Sequence, residues 1–289
     1  MQGAATVAMG FVGGVFEHID PVLAQRFVVV FCSFLLWTTL FLVIFSRPAS
    51  KRLIQRIHTT GKGPRLERQE LANRICAFLH SIIVSYGAMN ELFLSNGPLR
   101  VRSLLDRQTW PDYFAYSPDL LFYACLSTGF FIADLMLVTV LLEENGIAFF
   151  VHAVLGLCAG MYVIFTGWGM GYYAMLLLVE CSTPFLHFRW FLLEYGFKGS
   201  MYEVVNGLAL VAVFTFVRNV LCNVVSVNLV YELHTSLVGK VSLATRLVFS
   251  ANAVAMVTLN TIWGFALWKG FIRTLKHLVA RAPPAAKRE

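Results

Sequence analysis

Apolar stretches of about 20 residues recur along the chain, and each is long enough for a helix that crosses a membrane. The first stretch, at 27–46, is bounded directly by Arg26 and Arg47. We predict further transmembrane helices at 73–93, 118–142, 147–166, 204–225 and 247–268, with one more that begins at the GWGMG turn, 167–171. The expected fold is therefore an all-α integral membrane protein with about seven transmembrane helices.

The composition excludes an ordinary soluble protein, because 58% of the 289 residues are hydrophobic and only 13% are charged. The six cysteines fall singly on different apolar stretches, without the paired spacing of a disulfide framework or a zinc site. The sequence also lacks the patterns of nucleotide, hydrolase and metal sites. We therefore expect no cofactor and no bound metal.

Lysines and arginines are concentrated in two blocks beside apolar stretches, at 47–68 and 269–281. This distribution indicates membrane topology, and not nucleic-acid binding, although the formal net charge is +7. With seven helices both blocks lie on one side. By the positive-inside rule the N-terminus is then outside, in a lumen or intermembrane space, and the C-terminus is inside, in the cytosol or matrix.

Three segments outside 73–277 follow from the same patterns. Residues 1–26 are expected to form an N-terminal interfacial segment, 27–72 the first transmembrane helix with a basic inner loop, and 278–289 a basic C-terminal tail. Residues 226–246 mix polar and apolar side chains. They fit an outer loop on the membrane surface, and we make no firm assignment of their structure.

The stretch VECSTPFLHFRW at 179–190 places ionisable residues inside an apolar span. An intramembrane carboxylate such as Glu180 costs about 2–3 kcal/mol or more, and it normally faces a bundle interior or a wet cavity. Pro184 has no N–H to donate to the carbonyl of Glu180, so a kink is expected. The hydroxyls of Ser182 and Thr183 could satisfy the freed backbone.

Polar side chains from five helices fall at a similar depth when a rise of about 1.5 Å per residue is counted from each inner helix end. They lie about 8–12 Å from that end. Arg218, at about 21 Å, falls outside this layer. A shared polar cavity is one interpretation, and separate hydrogen bonds between helices are the other. The five residues are His80, Asp134, His152, Glu180 and Asn260.

Six sequence segments, in their order and spacing, resemble the TLC-domain family, which includes ceramide synthases, TRAM-like proteins and a small TLC-domain-containing branch. The most specific is ECSTPF followed by Arg189 and Trp190. The resemblance covers 73–277 as a TLC-like domain. The segments are NRICAFLH at 73–80, STGFFIAD at 127–134, FFVHA at 149–153, VECSTPFLHFRWFL at 179–192, VNGLALVAVFTFVR at 205–218 and TLNTIWG at 258–264.

The resemblance implies six helices around a central cavity open to lipid, with one extra N-terminal helix. It implies that His152 is the first of the tandem histidines of catalytic members, whereas Ala153 occupies the second position. A downstream His-Asp pair is also absent from 156–169. Loss of a general base typically costs about 10²- to 10⁴-fold in rate. Structural roles are implied for Arg74, Ser182, Thr183, Pro184, Arg189, Trp190 and Arg218.

Three functions are compatible with this pattern. The first is a non-catalytic protein that binds lipid in its cavity, as a lipid sensor or as an accessory subunit of a larger membrane complex, for example a mitochondrial one. The second is a lipid acyltransferase with His152 as general base. The third is a transporter, although the internal repeats that would support it are not seen. Expected partners are membrane lipids and other membrane subunits, in the endoplasmic reticulum or the mitochondrial inner membrane.

Overall fold

A computed structural model describes residues 20–47, 64–103, 106, 108, 110 and 115–281, without the side chains of 64–66, 145 and 277–281. The described ranges contain helices and no β-strand, and seven helices are long and apolar enough to cross a membrane. This confirms the predicted fold class. The helices are α1 (Pro21–Ser46), α2 (Pro64–Met89), α3 (Pro118–Val140), α4 (Ile147–Thr166), α5 (Met170–Glu194), α6 (Met201–His234) and α7 (Leu243–Arg281).

Parts of three predicted segments lie outside the described residues. They are 1–19 of the interfacial segment, 48–63 of the basic loop and 282–289 of the tail.

Several helix ends follow directly from the local sequence. Pro21 and Pro118 stand at the first positions of α1 and α3, where a missing N–H costs nothing. Ser117 caps α3 by accepting from the backbone N–H of Leu120 at 3.2 Å. Gly167, with φ of 68°, ends α4 in the left-handed conformation that favours glycine.

Helix α1 packs on the outside of the bundle against α3. The Ser33 hydroxyl donates to the carbonyl of Leu126 at 2.7 Å. Gly129 lies at the crossing, where a Cβ atom would stand 2.5 Å from Ser33 Cβ and 2.7 Å from the backbone nitrogen of Phe34. Only glycine permits this close approach.

Helix α5 changes its winding where the sequence predicts a kink. It is α-helical over Met170–Leu178, 3₁₀-helical over Val179–Ser182, and α-helical again over Thr183–Glu194. The carbonyl of Glu180 accepts from the backbone N–H of Thr183, three residues ahead. The tighter turn thus satisfies the Glu180 carbonyl, and the Ser182 hydroxyl donates to the carbonyl of Val179 at 3.2 Å, as expected of a hydroxyl beside the kink.

Helices α6 and α7 are longer than predicted. The segment 226–234 continues α6 as a helix, so the interpretation as an outer loop is wrong for these residues. Val225, Leu229 and Leu233 recur at four-residue spacing and form a buried face, which stabilises this continuation. A π-helical segment, Thr215–Leu221, interrupts α6. Helix α7 extends to Arg281, beyond the predicted end at 268.

Candidate functional site

A cavity of about 350 Å³ lies inside the bundle, and each of the helices α2 to α7 contributes to its wall. Its size falls within the range of about 300–1,000 Å³ that is usual for ligand sites. Most of the wall is apolar, with aromatic residues such as Phe130, Phe131 and Trp263. The polar residues of the wall are Asn73, His80, Asp134, His152, Glu180, Ser182, Thr183, His187 and Arg218.

A buried ion pair joins α5 and α6 at this cavity. Arg218 Nη2 lies 3.0 Å from Glu180 Oε1, and Arg218 Nε donates to the Ser182 hydroxyl at 2.8 Å. The Thr183 hydroxyl donates to Glu180 Oε2 at 2.7 Å. Only 5% of Arg218 and 9% of Glu180 are exposed, so the two charges compensate each other away from solvent.

The position of Arg218 corrects the depth estimate, which put this residue outside the polar layer. Helix α5 continues to Glu194, 14 residues beyond Glu180, which corresponds to about 21 Å at 1.5 Å per residue. Glu180 therefore lies about 21 Å from the inner end of its helix, and Arg218 was counted at about the same depth from the predicted end of its own helix. The helices end at different heights in the bundle. A depth counted from each predicted helix end therefore separated Glu180 from Arg218, although the two side chains are in contact.

His152 lies between this ion pair and the apolar wall. Its Nε2 atom is 3.9 Å from Glu180 Oε1, and its ring contacts Phe131 and Trp263 with centroids 5.8 Å and 5.6 Å away. Its Nδ1 atom is buried and has no hydrogen-bond partner among the described residues. This nitrogen is therefore an unpaired buried polar atom on a residue of the cavity wall.

His80 and Asp134 differ in how they are held. The His80 ring stacks on Phe130 with a centroid distance of 3.9 Å, and its Nε2 atom lies 3.2 Å from the Ser127 hydroxyl. Asp134 also lines the cavity, but no hydrogen bond or ion pair joins it to another described residue. His80 is therefore fixed by packing, whereas the Asp134 carboxyl group is free to bind.

Asn260 does not line the cavity. It is completely buried behind Arg218, where its side-chain oxygen lies 3.4 Å from Arg218 Nη1. Its side-chain nitrogen lies 3.4 Å from the sulfur of Cys222. Asn260 supports the ion pair from outside and has no direct access to a ligand.

Sequence reasoning missed His187, which lines the cavity from α5. Its Nδ1 atom is buried and has no partner within the described ranges. Glu180, Thr183 and His187 follow the three- and four-residue spacing of one helix face, so this periodicity could have identified it.

The remaining motif residues hold helices together at the end of the bundle where α5 finishes. Arg74 pairs with Glu70 at 2.7 Å, and its guanidinium lies 4.8 Å from the centre of the Trp190 ring. Arg189 Nη1 lies 3.0 Å from Glu203 Oε1. These contacts tie α2 to α5 and α5 to α6. Pro184 stands in the first turn after the 3₁₀ segment.

Ala153 does not line the cavity. It is completely buried in an apolar cluster with Trp37, Cys76, Phe130 and Phe131. One residue along a helix corresponds to a rotation of about 100°, which separates Ala153 from the face that carries His152. Among the described residues no group of three His, Cys, Asp or Glu side chains is placed to hold a metal ion.

Comparisons with known proteins agree with this architecture. The TLC domain model matches residues 70–269. TLC domain-containing protein 4-B of Xenopus laevis is 27% identical over 170 residues, 58% of this chain and 63% of the relative. TLC domain-containing protein 4-B of Danio rerio is 25% identical over 219 residues, 74% of this chain and 78% of the relative.

A yeast protein is also similar. Topoisomerase I damage affected protein 4 of Saccharomyces cerevisiae is 29% identical over 163 residues, 55% of this chain and 56% of the relative. The chain thus spans a little under two thirds of the Xenopus relative and just over half of the yeast one. The family model covers more than half of the chain and confirms the resemblance seen in the sequence. The chain belongs to the TLC domain family.

Proposed function

We propose that this membrane protein binds a lipid in the cavity enclosed by the six helices α2 to α7 and holds it without chemical change. One observation carries the proposal. The wall is mostly apolar, yet it buries the Nδ1 atoms of His152 and His187 without partners in the described part of the chain. Buried polar atoms are normally hydrogen-bonded. A lipid supplies both an apolar chain for the wall and a polar group for these nitrogens.

The cavity reaches the outer surface of the bundle. Phe149, Leu186 and Ala266 line it from α4, α5 and α7, and all three side chains are also exposed. A ligand can therefore enter between these helices. Such an entrance suits a molecule that is already dissolved in the membrane.

The contacts of the Glu180 carboxylate favour binding without turnover. The carboxylate oxygens accept hydrogen bonds from Arg218 and Thr183. The distance from Glu180 Oε1 to His152 Nε2 is 3.9 Å, which is too long for a hydrogen bond. The carboxylate therefore does not hold the imidazole in a fixed tautomer, as a general base requires. A second histidine at 153 is absent as well.

The experiment compares two variants of α7 with the wild type. Ala266→Phe fills the cavity, whereas Ala251→Phe adds the same ring at an exposed position outside it. We expect native mass spectrometry to show lipid retained by the wild type and by Ala251→Phe, and little by Ala266→Phe. Equal retention by both variants, or none by the wild type, would overturn the proposal.

A second candidate is lipid acyl transfer, favoured by the position of His152 between a carboxylate and the cavity. A histidine there could remove a proton from a lipid hydroxyl or amine if the carboxylate moved closer. The test is His152→Gln, with His234→Gln as control, because His234 is exposed and lies outside the cavity. An altered cellular lipid profile with His152→Gln alone would favour catalysis, and an unchanged profile would favour binding only.

We further propose that the bound lipid serves a sensing role or an accessory role in a larger membrane complex. The basic end of the bundle would then face the cytosol, or the matrix in a mitochondrial inner membrane. Native mass spectrometry of the protein taken from its own membrane tests this, because a partner subunit would appear as a fixed added mass. A protein that runs alone would contradict the accessory role.

A further inference from the structure

A second, smaller chamber adjoins the main cavity at Asp134. Its volume is about 60 Å³, and it lies between α1, α2 and α3. Asn73, Phe130 and Asp134 line both spaces. The side chains at this junction can therefore contact a group that passes from the main cavity into the chamber.

The junction carries hydrogen-bonding groups of both kinds without protein partners. Trp37 lines the chamber and is only 3% exposed, and its Nε1 atom is buried with no acceptor in the described ranges. The indole N–H can only donate, whereas carboxylate oxygens accept. Asp134 has neither a hydrogen bond nor an ion pair to another described residue. The chamber and its junction thus offer the Trp37 indole as a donor and the Asp134 carboxyl group as an acceptor, beside the Asn73 amide, which can do both.

The charges of the wall exclude a phosphate-bearing headgroup. Arg218 is the one lysine or arginine among the described lining residues of the main cavity, and Glu180 already pairs with it at 3.0 Å. Its other N–H groups face Ser182 and Asn260. A phosphate would meet the carboxyl groups of Asp134 and Glu180 and no unpaired cation, and like charges in a low-dielectric site repel strongly.

A hydroxyl group fits the same site, because it both donates and accepts. Asp134 supplies the acceptor that such a group needs, and Trp37 supplies the donor. We infer that Asp134 and Trp37 select a lipid whose headgroup is uncharged and carries a hydroxyl. This inference rests on the proposed function, since it names the class of lipid that the cavity binds.

The test uses three probes with identical acyl chains, each added to the purified protein in detergent micelles and read by native mass spectrometry. They are 1,2-dioleoylglycerol, which has a free hydroxyl, its acetylated form, which has none, and 1,2-dioleoyl phosphatidate, which has a phosphate. We expect the wild type to retain the first at least about tenfold more than either of the others, the scale of one hydrogen bond to a charged group.

Two substitutions assign this preference to the junction. Asp134→Asn keeps the shape of the side chain but weakens it as an acceptor, and Trp37→Phe removes the N–H but keeps a ring. Each should reduce retention of dioleoylglycerol about tenfold while the acetylated form is unaffected. Asp119→Asn is the matched control, because Asp119 is an exposed aspartate on the same helix as Asp134. Thermal unfolding of each variant shows whether it folds.

The outcomes separate this inference from the proposed function. If the wild type retains no lipid that Ala266→Phe loses, the proposed function fails and this inference fails with it. A second outcome is that the wild type retains a lipid that Ala266→Phe loses, but prefers the phosphatidate. A third is that both junction variants bind dioleoylglycerol like the wild type. In either case lipid binding stands, and the assignment of headgroup selection to Asp134 and Trp37 is wrong.

Discussion

The guanidinium of Arg218 brings together side chains from three helices. It contacts Glu180 and Ser182 of α5 and Asn260 of α7, and it also lies 5.5 Å from the centre of the Phe214 ring on its own helix. A buried charge of this kind is stable only while its partner and hydrogen bonds are in place. The cavity wall therefore depends on this one side chain.

Removal of that side chain should destabilise the protein strongly. We expect Arg218→Leu to lower the free energy of unfolding by about 3–5 kcal/mol, because Glu180 is then left buried without a counter-charge. Unfolding in detergent, followed by circular dichroism, measures the change.

The double variant Glu180→Leu with Arg218→Leu tests the reason for this loss. It should recover most of the stability, since two apolar side chains can replace a buried pair at little cost. Lys240→Ala, which removes an exposed cation, should change stability by less than about 0.5 kcal/mol. A double variant as unstable as the single one would argue against charge burial as the cause.

Among the elements, α1 meets α3 at a close glycine crossing, and Arg26 and Trp37 add further contacts to the bundle. Gly129→Ala would force the new methyl group into Ser33 and into the backbone of α1 at Phe34. We expect a loss of about 1–3 kcal/mol, as for other overpacked contacts, together with looser attachment of α1. Thermal unfolding and protease accessibility of α1 measure both effects.

Gly270→Ala is the control for this crossing. Gly270 lies within α7 with no atom within 4 Å of a Cβ at that position. The substitution should stabilise the helix by up to about 1 kcal/mol, because alanine favours helix more than glycine does. Equal changes in stability for Gly129→Ala and Gly270→Ala would contradict a structural role for the close approach at Gly129.

The helices themselves could be predicted from the sequence because each is a continuous apolar run. Their ends could not, because burial extends helices through polar residues. Residues 226–234 look like a loop by composition, yet Val225, Leu229 and Leu233 pack inward and keep α6 helical. The cavity was expected from His80, Asp134, His152, Glu180 and Asn260, of which Asn260 lies behind Arg218 and not in the wall. Arg218 was misplaced because its depth depends on where α5 ends, which hydropathy alone does not set.

At the scale of the whole molecule, the seven helices determine which connections share a side of the membrane. The α3–α4 connection and the α6–α7 connection are separated by three crossings, so they lie on opposite sides. We expect Glu144→Cys and Ser236→Cys, at exposed positions of these two connections, to react with a membrane-impermeant maleimide from opposite sides of sealed vesicles.

By the positive-inside rule, Glu144→Cys should react from the side that holds the basic C-terminal end of α7. The native cysteines all lie within the membrane-crossing helices, so the unmodified protein gives the background. Labelling of both positions from one side would contradict the seven-helix crossing pattern.

The burial of Ala153 limits how enzymatic activity could be engineered into this scaffold. A histidine restored at 153 would have no free space, because Ala153 is completely buried in the packed apolar cluster with Phe130 and Phe131. It would overfill a packed interior and bury an imidazole without partners, at a cost of about 1–3 kcal/mol from each effect. Conversion into a two-histidine catalyst therefore requires the cluster around 153 to be repacked as well, and a single substitution is not enough.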